Sequence, residues 1–349
     1  MPSTCVVTGG AGFIGCAISR GLADRFDEVI ALDNLHPQVH PQRQRPAALD
    51  PRVELVVGDV TDAAAWDALL DRHTPQVIIH LAAETGTGQS LTEASRHGLV
   101  NVVGTTQMLD ALVRHEQRPQ RILLASSRAV YGEGAWTDPA GAVHYPGQRS
   151  RAMLGAAQWD FAGLTPAPHD ARTVHPAPTS VYAATKLAQE HLVSAWCLAM
   201  GVRPVLYRLQ NVYGPGQSPT NSYTGIVTLF ARVARSGAAI PVYEDGLMLR
   251  DFVYIDDVAA ALLAGLDVAP SRPDPPYDIG SGSPVTVLAL AQTLAARVDA
   301  PAPRVTGEFR DGDVRHASAT IEPAQLALAW RPQVRLADGL ARLVEWLPE

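Results

Sequence analysis

Tyr182 and Lys186 stand four residues apart in Ser180-Val181-Tyr182-Ala183-Ala184-Thr185-Lys186, and Lys186 is the only lysine in a chain of 349 residues that carries 27 arginines. A guanidinium stays charged in any protein setting, whereas an ammonium is a compact charge whose pKa can be moved. A single lysine kept among so many arginines marks a task for an ammonium; the plain alternative is a solvated lysine on a helix surface. On a helix the two side chains share one face. A free tyrosine has a pKa of about 10, and bringing it near 7 takes roughly 4 kcal/mol of preference for the phenolate. One cation at about 4 Å in an effective dielectric near 20 supplies about that much. The pair therefore reads as a tyrosine base made usable by a lysine.

A second chemical stretch is Thr8-Gly9-Gly10-Ala11-Gly12-Phe13-Ile14-Gly15, between a strand-like run and a helical one. Its glycines allow close backbone approach, and a helix opening there offers free N–H groups and a positive dipole end to a pyrophosphate. Asp33 closes the next strand, where a ribose-binding acid belongs. A carboxylate there accepts both ribose hydroxyls and repels a 2′-phosphate, so the cofactor expected is NAD rather than NADP. Gly9, Gly12, Phe13, Ile14, Gly15, Asp33 and Asn34 are the expected contacts. Asp59 and Val60, after the third strand, fall where adenine would lie.

The elements that must carry these residues follow from alternating signals. Thr4 to Thr8, Glu28 to Leu32, Val53 to Val57, Val77 to Leu81 and Arg121 to Ala125 are short apolar runs of strand length. Helical stretches lie between them, at about Phe13 to Asp24, Ala63 to Arg72 and Asn101 to His115. Such alternation predicts an α/β chain with a Rossmann-type, doubly wound parallel sheet. Helical periodicity through Tyr182 and Lys186 runs to about Met200, and Val202 to Leu209 reads as a further strand. The expected division is an NAD-binding domain over 1–212 and a smaller α+β substrate lobe over 213–349, with 250–280 partly returning to the sheet around Arg250 to Asp257.

Composition narrows the classes. A net charge of −7 argues against a nucleic-acid surface. Cys5, Cys16 and Cys197 are too few and too scattered for a disulfide framework or a metal cluster. No apolar run reaches membrane-spanning length and no charged leader precedes the first strand, so a cytoplasmic protein without metal is expected.

Taken together, the motifs resemble the extended short-chain dehydrogenase/reductase family in its nucleotide-sugar epimerase and dehydratase branch. The resemblance runs through TGGAGFIG, LDNL at 32–35, GDVTD at 58–62, HLAAET at 80–85, NVVGT at 101–105, SSRAVYG at 126–132 and YAATK. It continues through RLQNVYGPGQ at 208–217, RDFVYIDDV at 250–258 and RDGDVRHA at 310–317. It implies a catalytic triad of Ser127, Tyr182 and Lys186, with Tyr182 and Lys186 also touching the cofactor. It implies further cofactor contacts at Leu81, Ala82, Ala83 and Asn101. A nucleotide-diphosphate sugar would be met by Glu84, Ser127, Arg128, Asn211 and Asn221, with Arg250 and Arg310 as forks for the diphosphate. Ala317 falls where some members use a bulky residue to limit sugar size, which points to a roomier pocket. Helices around Asn101 to His115 and Val181 to Met200 match the pair that joins relatives into homodimers.

Two features bear on the reaction. Dehydratases of this branch carry an acid pair directly after the serine, where this chain has Arg128 and Ala129, so removal of water is disfavoured. A ketoreductase would prefer NADP, against Asp33. Epimerisation at C4 remains: oxidation by bound NAD, rotation of the keto sugar and return of hydride to the other face. The run at 219–226 with Glu244-Asp245-Gly246 resembles a bacterial branch acting on dTDP-linked deoxysugars; a UDP-glucose or UDP-galactose 4-epimerase and a non-catalytic NAD-binding protein are the alternatives. Ser127 and Tyr182 lie 55 residues apart, about thirty more than in compact members. The added stretch at about 132–179 reads as a lid or wall over the sugar, or as surface decoration.

Overall fold

In the computed structural model, which describes residues 2–218, 225–268 and 275–347, seven parallel strands form one sheet. They are β1 (Thr4–Thr8), β2 (Glu28–Asp33), β3 (Glu54–Val57), β4 (Val77–His80), β5 (Arg121–Ser127), β6 (Arg203–Leu209) and β7 (Tyr277–Ile279). Their order is β3-β2-β1-β4-β5-β6-β7. All neighbours are parallel. The strand order reverses between β1 and β4, and a ligand crevice is expected outside the carboxyl ends there.

The central strands are continuous apolar runs because both faces are covered. Val7, Ile79 and Leu123 point into one core with Ile18 and Leu22 of α1 (Phe13–Ala23). Val6, Ile78 and Leu124 point the opposite way, onto Trp66 of α2 (Ala63–Leu70), Met108 and Leu112 of α3 (Gly104–Arg114) and Val193 and Cys197 of α4 (Val181–Met200). The α4 helix is set at both ends. Ser180 Oγ accepts from the Ala183 N–H at 3.2 Å, and Gly201 closes the helix at φ 68°. Tyr182 thus sits in a capped first turn. Among the described residues no helix is long and apolar enough to cross a membrane.

Two expectations change. Helical structure begins before Asn101: a short helix over Ala94–His97 runs into a π-helical turn over Gly98–Val103, which contains Asn101. The return to the sheet is made by β7, not by Arg250 to Asp257. Leu249–Arg250 pairs with 285–286 and 316–317, and Phe252–Tyr254 pairs with Asn211–Tyr213, in small separate sheets. A third core, holding Phe230, Leu290, Leu294, Leu340 and Leu343, lies under this part of the chain.

The stretch after Ser127 is clamped, not loose. Its Arg149 is 2% exposed and donates to Glu133 at 2.9 Å, to both carboxylate oxygens of Glu244 at 2.8 and 2.9 Å, and to the carbonyls of Trp159 and Asp313. Arg315 adds forks to Asp160 and Asp245. The inserted stretch also runs along 318–320, where the His169 N–H donates to the Ser318 carbonyl and the Thr320 N–H to the His169 carbonyl. Arg149→Met would leave buried Glu133 without its cation and Glu244 with only the longer contact to Arg315 at 3.3 Å. The expected loss is about 3 kcal/mol of stability, read from urea unfolding; a loss within error would show the clamp to be dispensable.

Candidate active site

The glycine loop after β1 presses against the end of β4. Gly9 has φ 65°, and a Cβ on it would lie 2.8 Å from the Ala82 nitrogen. Only glycine lets the loop sit this low. Helix α1 starts at Gly12 with no side-chain cap and no acidic residue in its first turn, so its leading N–H groups and its positive dipole end remain open to an anion. Asp33, 8% exposed, braces the loop: one carboxylate oxygen accepts from the Ala11 N–H at 3.0 Å and the other from the Leu35 N–H at 2.9 Å.

A cavity of about 160 Å³ opens along this loop. Gly9, Gly12, Asp33, Asn34, Asp59, Val60, Leu81, Ala82 and Ala83 line it, the residues expected at the cofactor, and so does Glu84, which was expected at the sugar. These residues fit a dinucleotide: an uncapped helix start for the pyrophosphate and a carboxylate at the strand end for a ribose. Asn34 donates to Asp59 at 2.8 Å, which joins the two acidic strand ends. Gly15 packs beneath the loop instead of lining the cavity, since a Cβ there would meet the Gly10 carbonyl oxygen at 2.4 Å. Phe13 and Ile14 pack half-buried toward the 213–349 part and do not line the cavity. Asn101 is fully buried and its amide is spent on the protein: it accepts from the Glu84 N–H and donates to the Glu84 carbonyl and to Thr185. It shapes the wall from behind.

Sequence reasoning missed His36, Gln38, Val39, His40 and Arg96 on the same cavity. Arg96 ties the far wall together, reaching Glu84 at 2.8 Å and Gln38 at 3.0 Å. The residues at 36–40 sit in an irregular connection and Arg96 in the short 94–97 helix, with no motif around either, so no local signal points to them.

Toward the substrate side, β5 ends at Ser127 and α4 begins at Val181, which brings Ser127 close to Tyr182. Burial pushes the Tyr182 phenol up, while the Ser127 hydrogen bond and the Arg128 charge pull it back. Lys186 is 3% exposed, and its ammonium donates to Gln189 Oε1 at 2.7 Å. Burial pulls it down to about 7, with Glu190 opposing. Arg128 is thus one cation acting on Tyr182, and the ammonium of Lys186, on the same helix face as Tyr182, is bonded to Gln189 one turn along.

Arg128 donates from Nε to Asn211 Oδ1 at 3.1 Å, which turns the Asn211 NH₂ outward. Burial and the neighbouring Arg250 pull its guanidinium down to about 9, and Asp313 opposes them. Arg250, 6% exposed, is held by the carbonyls of Leu249 and Val314 at 2.8 and 2.7 Å. Two guanidinium groups whose charges act on one another offer a seat for an anion. Arg310 is exposed, 5.0 Å over the Tyr243 ring, and Asn221 lies outside the described residues. Ala317 does not open the pocket: it is fully buried, in a strand flanked by the Leu249–Arg250 strand. Among the described residues no group of three or more His, Cys, Asp or Glu is placed to hold a metal.

Asp33→Ala is expected to weaken NAD binding at least about tenfold, since hydrogen bonds to a charged group contribute about 1.5–3 kcal/mol. Calorimetric titration of stripped protein measures it; unchanged affinity would reduce Asp33 to a brace of the loop.

Residues 5–280 match the profile of the NAD dependent epimerase/dehydratase family. The chain is 58% identical over 344 residues to a dTDP-L-rhamnose 4-epimerase of Burkholderia thailandensis, covering 99% of this chain and 94% of that one. Among solved structures, the UDP-glucose 4-epimerase of Thermotoga maritima with UDP-glucose superposes at a TM-score of 0.80, with 26% identity and 98% of each chain covered. The UDP-glucose 4-epimerase of Thermus thermophilus in complex with NAD superposes at 0.76, also with 26% identity and 98% of each chain.

Proposed function

The chain belongs to the NAD dependent epimerase/dehydratase family, and from that premise we propose that it is a nucleotide-sugar 4-epimerase interconverting dTDP-L-rhamnose and dTDP-6-deoxy-L-talose. Its cofactor is NAD, which when bound supplies the hydride acceptor and donor for carbon 4. Gly9, Gly12 and Asp33 would hold it.

Tyr182 takes the proton from the 4-hydroxyl as C4 is oxidised and gives it back when C4 is reduced, so protons balance within one cycle. Ser127, close to Tyr182, holds the same oxygen in line. Lys186 and Arg128 favour the phenolate. Arg128 and Arg250 seat the diphosphate while the keto sugar turns its other face to the cofactor.

The observation that carries the choice of reaction is the pair after Ser127. Loss of water needs an acid to protonate a leaving hydroxyl. Alanine at 129 has no proton to give, and Arg128 is committed to Asn211 as a cation. The 58% identity to the Burkholderia enzyme supports the dTDP-linked deoxysugar.

Purified protein incubated with dTDP-L-rhamnose and no added NAD is expected to produce the C4 epimer by NMR, with no net rise in reduced-nicotinamide absorbance. Turnover of UDP-glucose instead would overturn the sugar assignment, and tight NAD without turnover of either sugar would overturn catalysis. Tyr182→Phe should lower kcat about 10³-fold with bound NAD retained.

A homodimer is proposed with it, through the 98–114 and 181–200 helices. Leu99 and Val103 stand 50% and 38% exposed beside them. Sedimentation should show a dimer that becomes a monomer when both are changed to Glu; an unchanged dimer would place the interface elsewhere.

A further inference from the structure

Lys186 has one acceptor among the described residues, and it is a neutral one. Its ammonium lies 2.7 Å from Gln189 Oε1, and Gln189 is itself fully buried. Which end of an amide faces a cation is settled by its other contacts. Thr105 Oγ1 is 2.6 Å from the Asn101 carbonyl, which can only accept, so the threonine proton goes there. The threonine oxygen is then an acceptor toward Gln189 Nε2 at 2.9 Å. The amide must therefore turn its NH₂ to Thr105 and its oxygen to Lys186. Both tautomers of His80 agree with this. A protonated Nε2 donates to Thr105 at 2.9 Å, and a bare one accepts from Gln189 Nε2 at 3.2 Å.

The other charged groups near the ammonium are accounted for. Glu190, on the same helix, is forked by Arg208 at 2.8 and 3.0 Å and bonded by Ser126. His80, from β4, is kept neutral, pulled down to about 3 by burial and by Lys186. The 98–114 helix contributes only the neutral Asn101 and Thr105 at this point. Tyr182 lies one turn back on the lysine's own face. No carboxylate among the described residues is free to neutralise the ammonium.

We propose that Gln189 is the positioning residue of Lys186: its Thr105-oriented amide oxygen anchors the ammonium while leaving its charge undiminished for Tyr182. A carboxylate at 189 would anchor the lysine equally well and cancel the charge. An apolar residue would leave a buried ammonium without an acceptor. The inference rests on the catalytic reading of Tyr182 and Lys186 given above.

Because the chain has a single lysine, protein labelled with ¹³Cε-lysine gives one side-chain resonance, whose titration reports Lys186 directly. In the NAD-loaded protein, Gln189→Glu should raise that titration by about one to three units, as an opposite charge at contact does. Both limbs of the kcat pH profile should move upward with it: the phenolate loses its cation, and the cation holds its proton longer. The KM for the nucleotide sugar should stay within about twofold. Thr105→Val, which keeps Gln189 and frees its amide to turn, should lower the lysine titration by removing the acceptor; it serves where the glutamate variant fails to fold. Lysine titrations unmoved in the folded variants would overturn the proposal. A moved titration with an unmoved rate profile would overturn the catalytic assignment of Lys186 on which it rests.

Discussion

An ammonium held in a dry interior with no carboxylate bonded to it is the constraint on which the rest of this site depends. Burying a cation is costly unless it is hydrogen-bonded and balanced, and Lys186 is hydrogen-bonded to a neutral amide, with only the arginine-paired Glu190 charge acting on it. Its surroundings are built to keep it so. The nearest carboxylate is occupied by an arginine, the nearest imidazole is neutral, and the acceptor is an amide. A group pulled to about 7 by burial sits where its charge can answer small changes at the phenol beside it.

The elements meeting at this point come from distant parts of the chain. β4 brings His80, the π-helical turn brings Asn101, α3 brings Thr105 and α4 brings Tyr182, Lys186 and Gln189. The reversal of strand order between β1 and β4 makes the cleft into which the glycine loop and Asp33 face. Asn101 links the two: it clips the Glu84 backbone at the cofactor wall and holds Thr185 in the helix of the proposed base. The cofactor wall and the helix of that base therefore share a buried residue.

On the far side, the stretch inserted after Ser127 behaves as part of the body of the protein. Arg149 and Arg315 join it to Glu244 and Asp245 through charges that have left water together. Such a network does little for net stability but punishes any partial opening. This favours a fixed wall beside the site over a swinging lid. In the proposed reaction, Arg128 and Arg250 would make the diphosphate end the firm anchor, with the sugar left to turn.

Much of the candidate site was legible in the residues because it is local. A glycine loop between strand and helix, an acid at the next strand end, and a tyrosine and lysine one turn apart each declare themselves within a few positions, through backbone sterics and helical period. The parallel sheet followed from alternating strand and helix signals for the same reason. What the residues left open was decided by contacts between segments far apart in sequence. The direction of the Gln189 amide depends on Thr105, 84 positions away, and the clamp on Arg149 depends on Glu244, 95 positions away. The burial of Ala317, and the return to the sheet at β7 instead of around Arg250, likewise come from how the later segments pack. Side-chain type and short-range period determined which chemistry the chain carries; only the tertiary structure decided which charges stay unpaired, because that depends on every neighbour that folding brings near.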